Sequence, residues 1–151
     1  ALFTSIALFH VLFLAGRPFP PTNVTLSLPS SPIGGALLLS FLPGFSNGRP
    51  FLGFNVSLEA FEAGLDGASP PSRPASYVYL SYSAFATKEG GVLEVLLRGL
   101  TVGQTHRAAV SAKTVVGDSV FSNWSNTEVP VEGPALPEEP PVYGKTERFS
   151  L

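Results

Sequence analysis

The chain contains two histidines, His10 and His106, and two aspartates, Asp66 and Asp118. A serine nucleophile relayed through histidine and aspartate would have to use His106. That ring falls on the inward face of an alternating run, where a side chain packs and ties backbone rather than moving protons for a substrate. Glu59 and Glu62 form a nominal carboxylate pair, yet they sit at a strand end and the start of a loop and read as solvated charges. The absence of cysteine removes a thiol nucleophile, a thiolate metal site and a disulfide framework. No metal-ligand spacing and no phosphate-cradling glycine loop is present, and Gly90-Gly91 is a turn. The sequence therefore predicts no catalytic, metal or cofactor-binding residues, and a protein that is not an enzyme.

One kind of chemistry does have its residues in place. Asn23-Val24-Thr25, Asn55-Val56-Ser57 and Asn123-Trp124-Ser125 all fit the Asn-x-Ser/Thr acceptor pattern for N-glycosylation. They account for three of the five asparagines, and strand alternation independently turns Asn23 and Asn55 towards solvent. This agreement predicts a glycoprotein of the secretory pathway, at the cell surface or outside it.

The elements that must carry these residues are strands. From Asn23 to Leu28, Val24, Leu26 and Leu28 are expected inward and Asn23, Thr25 and Ser27 outward. Ala36 to Leu42 places Leu37, Leu39 and Phe41 on one face. Phe51 to Glu59 turns Leu52, Phe54, Val56 and Leu58 in, with Asn55 and Ser57 out. Ser76 to Ala84 is aromatic and β-branched enough for a strand, although Tyr77, Tyr79 and Tyr82 do not all share a face. Val92 to Leu97 follows the Lys88-Glu89-Gly90-Gly91 turn. In His106 to Lys113, His106, Ala108, Val110 and Ala112 face the core, while Arg107, Ala109, Ser111 and Lys113 face outward. Gly117-Asp118 reverses the chain into a last strand ending near Val131. Asn47-Gly48 is a strong turn signal, and Ala60 to Ala75 is a long Gly-, Pro- and Ser-rich loop.

Leu100, a ring six residues later at His106, then Val110, Ala112, Gly117 and Ser119 resemble the corner and terminal hairpin of a fibronectin type III domain. The Pro-Pro-x-Asn-Val entry at Pro20 to Val24 is similar to that family's first strand. In the family the corner ring is normally a tyrosine whose hydroxyl ties back to the backbone; here Leu100 and His106 are the corner residues, and a ring nitrogen can make the equivalent bond. The family's core tryptophan corresponds to Phe41. Phe121-Ser122-Asn123-Trp124-Ser125 is also similar to the Trp-Ser-x-Trp-Ser box of class I cytokine receptors. That resemblance implies a surface stack of Trp124 and Phe121 with basic side chains of the neighbouring strand, Lys113 first and Arg107 second. The expected role of Trp124 is thus structural, with a ligand anchor as the competing reading.

What the resemblance implies is an all-β fold, a two-sheet antiparallel immunoglobulin-like sandwich of about seven strands. Residues 17–132 form this domain. Residues 1–16 are an apolar segment that reads as a signal peptide or a truncated membrane segment, short of the ~20 residues that span a bilayer. Residues 133–151 are a Pro-rich acidic linker or tail. Arg17-Pro18-Phe19-Pro20-Pro21 is expected to be an extended linker. With a net charge of −2 over 151 residues and no basic patch, nucleic acid is not a partner. The resemblance implies a non-catalytic extracellular module of a receptor or adhesion protein. It would bind protein partners through loops or a sheet face, beside neighbouring domains in a longer chain and with any membrane attachment outside the domain. The alternative is a spacer domain of a secreted multidomain enzyme. A contiguous exposed apolar or aromatic patch on the loops is expected of the binding module and not of the spacer.

Overall fold

The computed structural model describes residues 16–31, 33–61 and 75–133. The expectations for residues 1–15, for most of the loop after β3 and for residues 134–151 lie outside the described residues. Eight strands are present: β1 Thr22–Ser27, β2 Leu37–Leu42, β3 Gly53–Phe61, β4 Ser76–Ser81, β5 Ala86–Thr87, β6 Leu93–Leu97, β7 Thr105–Thr114 and β8 Gly117–Asp118. They form two antiparallel sheets, ordered β1-β2-β6-β5 and β4-β3-β7-β8. The strand beyond the expected seven is β5, a two-residue pairing with β6.

Alternation builds the core. Leu26, Leu37, Leu39, Phe41 and Leu93 from the first sheet meet Phe54, Val56, Ala108, Val110 and Ala112 from the second. At the predicted tryptophan slot, Phe41 lies 4.9 Å from the ring of Phe54 and 5.6 Å from that of Phe85. Phe54 and Phe85 are themselves 5.2 Å apart, edge to face. Three phenylalanines so fill the space, in the edge-on geometry that aromatic quadrupoles favour.

The alternation fails at strand ends. Leu28 and Leu52, both expected inward, are 43% and 42% exposed, because β1 stops at Ser27 and β3 starts at Gly53. The strand expected over Ser76 to Ala84 ends at Ser81 and passes into a single 3-10 turn, Tyr82–Ala84. Between Thr22 and Thr25 the β1–β2 register shifts, and Asn23 takes up the extra residue with a φ of 54°. Asparagine tolerates that left-handed conformation better than most residues.

The expected linker at residues 17–21 is docked. Phe19 donates its N–H to the Phe45 carbonyl at 2.8 Å, and Asn47 Nδ2 donates to the Arg17 carbonyl at 3.0 Å. Phe19 and Phe45 meet edge to face at 5.9 Å, and Pro18 and Pro21 are buried. Gly44 makes this approach feasible, since a Cβ there would lie 2.7 Å from the Pro20 carbonyl oxygen. Asn47 and Gly48 both have positive φ, 63° and 81°, as their turn chemistry predicts.

Candidate functional site

The corner is built as a bonded unit. Leu100 donates its N–H to the Gly35 carbonyl at 2.9 Å and packs against the core. His106, 4% exposed, has Nδ1 2.9 Å from the carbonyl oxygen of Gln104. A carbonyl only accepts, so Nδ1 carries the proton. This ring ties down backbone two residues upstream of itself.

Beyond β8 the chain does not continue as the expected strand to Val131. Instead it follows β7 in a three-against-two register. Ser119, Ser122 and Ser125 donate their N–H groups to the carbonyls of Ala112, Val110 and Ala108 at 2.8, 2.9 and 2.8 Å. The amides of the same three β7 residues donate back to the serine Oγ atoms at 2.8, 3.0 and 2.9 Å. Ordinary pairing resumes at His106 and Glu128. Each three-residue step carries one more residue than the two it opposes, a run of consecutive bulges. The serine hydroxyl supplies the acceptor that the displaced backbone carbonyl would have offered. Each hydroxyl then donates to the next residue's carbonyl, at 2.8 Å for Ser119, 2.9 Å for Ser122 and 2.7 Å for Ser125.

This serine ladder gives the segment three sides. One is bonded to β7. A second carries Phe121 and Trp124 over the outer face of the second sheet. The third meets β1 and the docked residues 17–21: Val120 borders a groove of about 450 Å³ with Pro18 and Phe19, and Asn123 borders one of about 310 Å³ with Thr22 and Asn23. Asn126 completes that side. Its Oδ1 accepts the Leu26 N–H and its Nδ2 donates to the Leu26 carbonyl, both at 2.9 Å, so one side-chain amide replaces a strand neighbour for β1. From the sequence, Ser122 and Ser125 could be expected to bond backbone and hold Trp124 in place, as they do. Asn126 and the ladder's extension to Ser119 were passed over, although the serine spacing of three was a visible signal.

On the outer face, Arg107 rather than Lys113 meets Trp124. Its guanidinium carbon is 4.3 Å from the Trp124 ring centroid and 5.3 Å from that of Phe61. The same guanidinium holds Glu59, with Nη2 2.6 Å and Nε 2.8 Å from Oε1. Lys113 is taken by Asp118 at 3.0 Å, directly across the hairpin. Phe121 instead faces Tyr77 of β4, with ring centroids 6.2 Å apart. Their backbones stand three strand spacings apart, about 14 Å, so the rings lean in across β3 and β7. That roof accounts for another departure: Ser57, Ala109 and Ser111 point outward as expected but are only 4%, 3% and 1% exposed. Tyr79 adds to the roof by lying on Gly53, where a Cβ would come 2.5 Å from its hydroxyl oxygen.

The upper surface of these rings is open. Tyr77 is 70% exposed, Tyr79 46%, Phe121 43% and Trp124 40%. Of the predicted glycosylation residues, Asn23 and Asn123 are exposed, whereas Asn55 is half-buried in β3 and donates to Asp118 at 3.3 Å. Among the described residues no three His, Asp or Glu side chains converge as a metal site, and no helix is long and apolar enough to cross a membrane.

The two antiparallel sheets and their strand order are those of a fibronectin type III sandwich. No family model matches the chain, and no curated protein matches it. Solved structures do. The third fibronectin III domain of human KIAA0343 protein aligns over 86% of this chain and 92% of its own, with a TM-score of 0.56 and 13% identity. The twitchin kinase region from C. elegans, whose segments include a fibronectin domain, aligns over 76% of this chain with a TM-score of 0.51 and 13% identity. Titin domains A168-A170 align over 77% of this chain and 33% of theirs, with a TM-score of 0.50 and 15% identity. This chain spans 17% of the twitchin polypeptide it matches. At such identities the likeness is one of fold.

Proposed function

We propose that this fibronectin type III sandwich is a non-catalytic protein-binding module of an extracellular receptor or adhesion protein, and that it docks its partner on the outer face of the second sheet. The observation that carries this reading is the contiguous aromatic surface of Tyr77, Tyr79, Phe121 and Trp124. Exposed patches of this kind mark interaction surfaces, and tyrosine and tryptophan are the side chains that concentrate binding energy. Three glycosylation acceptor motifs, two with exposed asparagines, support the secretory-pathway setting.

The test is a tetramerised, fluorescent form of the chain applied to intact cells before and after surface proteolysis. Expected is protease-sensitive binding that falls at least tenfold for the Tyr77→Ser, Phe121→Ser double variant, whose melting temperature is checked alongside. Equal binding by the double variant removes the face from the proposal. Absence of any protease-sensitive binding favours the spacer reading instead.

A further inference from the structure

Among the described residues, the second sheet is closed along one side by the serine ladder and open along the other. The open side is β4, which pairs with β3 in an unbroken register from Gly53↔Ser81 to Leu58↔Ser76. The phase of its hydrogen bonds follows from the strand end, where Tyr82 donates its N–H to the Leu52 carbonyl at 2.9 Å. Antiparallel bonding alternates, so Leu80, Val78 and Ser76 are the residues bonded to β3. The N–H and C=O groups of Tyr77, Tyr79 and Ser81 therefore point to the open side. No described residue bonds to them there.

Edge strands are ordinarily protected by charge, proline, a bulge or a cover. Ser76-Tyr77-Val78-Tyr79-Leu80-Ser81 has no charge and no proline, and its register has no bulge. Both of its faces are apolar and exposed, with Val78 41% exposed on the core side and the two tyrosines on the other. An occupant has to offer an extended backbone, apolar side chains on both faces and no charge that needs a counterpart. β4 itself meets those terms. Antiparallel pairing about a two-fold axis at Val78 sets Val78 opposite Val78 and Tyr77 opposite Tyr79, with no like charges facing. The bonded pairs then fall on Tyr77 and Tyr79, the residues whose backbone groups are open.

We infer that β4 is completed by a second copy of this chain, joining two four-stranded sheets into one of eight strands. A six-residue edge buries less than the roughly 800 Å² per partner of a standard stable interface, so the dimer is weak and forms at high concentration. This goes beyond the proposed function, because it uses the strand edge and not the aromatic face.

The experiment is sedimentation velocity of the full chain from roughly 10 to 500 μM, a range suited to a weak complex. It is paired with amide hydrogen exchange at both ends of that range. Expected is a monomer–dimer equilibrium in which the Tyr77 and Tyr79 amides slow at least tenfold with concentration. Those of Val78 and Leu80, already bonded to β3, change little. Val78→Lys and Val78→Glu should each sediment as monomers with unchanged melting, and an equimolar mixture should recover the dimer because position 78 faces itself. Sedimentation as a monomer throughout overturns the inference. So does a dimer indifferent to both substitutions, or one that forms without protection of Tyr77 and Tyr79. If either variant fails to fold, exchange on the unmodified chain decides.

Discussion

Arg107 has three partners within reach of one planar group: the Glu59 carboxylate and the rings of Trp124 and Phe61. A guanidinium suits this position because its edge bonds a carboxylate while its face lies on a ring. Replacing Arg107 or Trp124 by alanine should each cost about 1–2 kcal/mol in urea unfolding, with a coupling of about 0.5–1 kcal/mol in the double-mutant cycle. Lys113→Ala should change stability by less than about 0.5 kcal/mol, since its ion pair with Asp118 is exposed. A Trp124→Ala variant of unchanged stability would return the ring to the role of ligand anchor. That a basic side chain meets Trp124 was legible in the sequence, but its identity was not, because the three-against-two register beyond Asp118 defeats one-for-one counting along the hairpin. The preference for Lys113 overlooked that hairpin partners claim one another first.

Strands with a single apolar face were read correctly through their middles and misread at their ends, as Leu28 and Leu52 illustrate. The buried outward positions Ser57, Ala109 and Ser111 follow a different logic. Alternation says which way a side chain points but cannot see rings arriving from two strands away to cover it. The segment after β8 was read as a strand because it pairs with one, and only the spacing of Ser119, Ser122 and Ser125 distinguishes a bulged ladder. Its attachment to the first sheet depends on Asn126. Asn126→Ala should remove both bonds to Leu26, speed exchange of the Leu26 amide at least tenfold, and lower stability by about 1–2 kcal/mol. Unchanged exchange at Leu26 would mean that β1 holds its place without this side chain.

Across the whole molecule, two sheets and a corner could be read from patterning, while the docking of residues 17–21 could not. Prolines there signalled an extended chain but not where it would lie, which depends on Phe45 and on the room left by Gly44. The placement of the acceptor asparagines also has a consequence at this scale. Asn23 and Asn123 border one groove beside β1, which meets the aromatic face only at its Trp124 end, whereas Asn55 lies within the second sheet. Secreted from eukaryotic cells, the chain should run heavier than 15.9 kDa and collapse on endoglycosidase treatment. Glycopeptides are expected at Asn23 and Asn123 and not at Asn55. An occupied Asn55 would stand a glycan on the proposed binding face and sink that function.

From Ser119 to Glu128 the chain advances nine residues while β7 retreats six, from Ala112 to His106. The two are meshed like gears of unequal tooth count. An ordinary hairpin can lengthen by one opposed pair at a time. This one adds a rung only when three residues enter the ladder together with two in β7, and the first of the three must be able to accept a hydrogen bond. A lone insertion turns every later side chain by a third of a revolution, sending Trp124 away from Arg107 and Asn126 away from β1 at a stroke. Length here is quantised, and descent with insertions has far fewer open routes through this edge of the sandwich than through any of its loops.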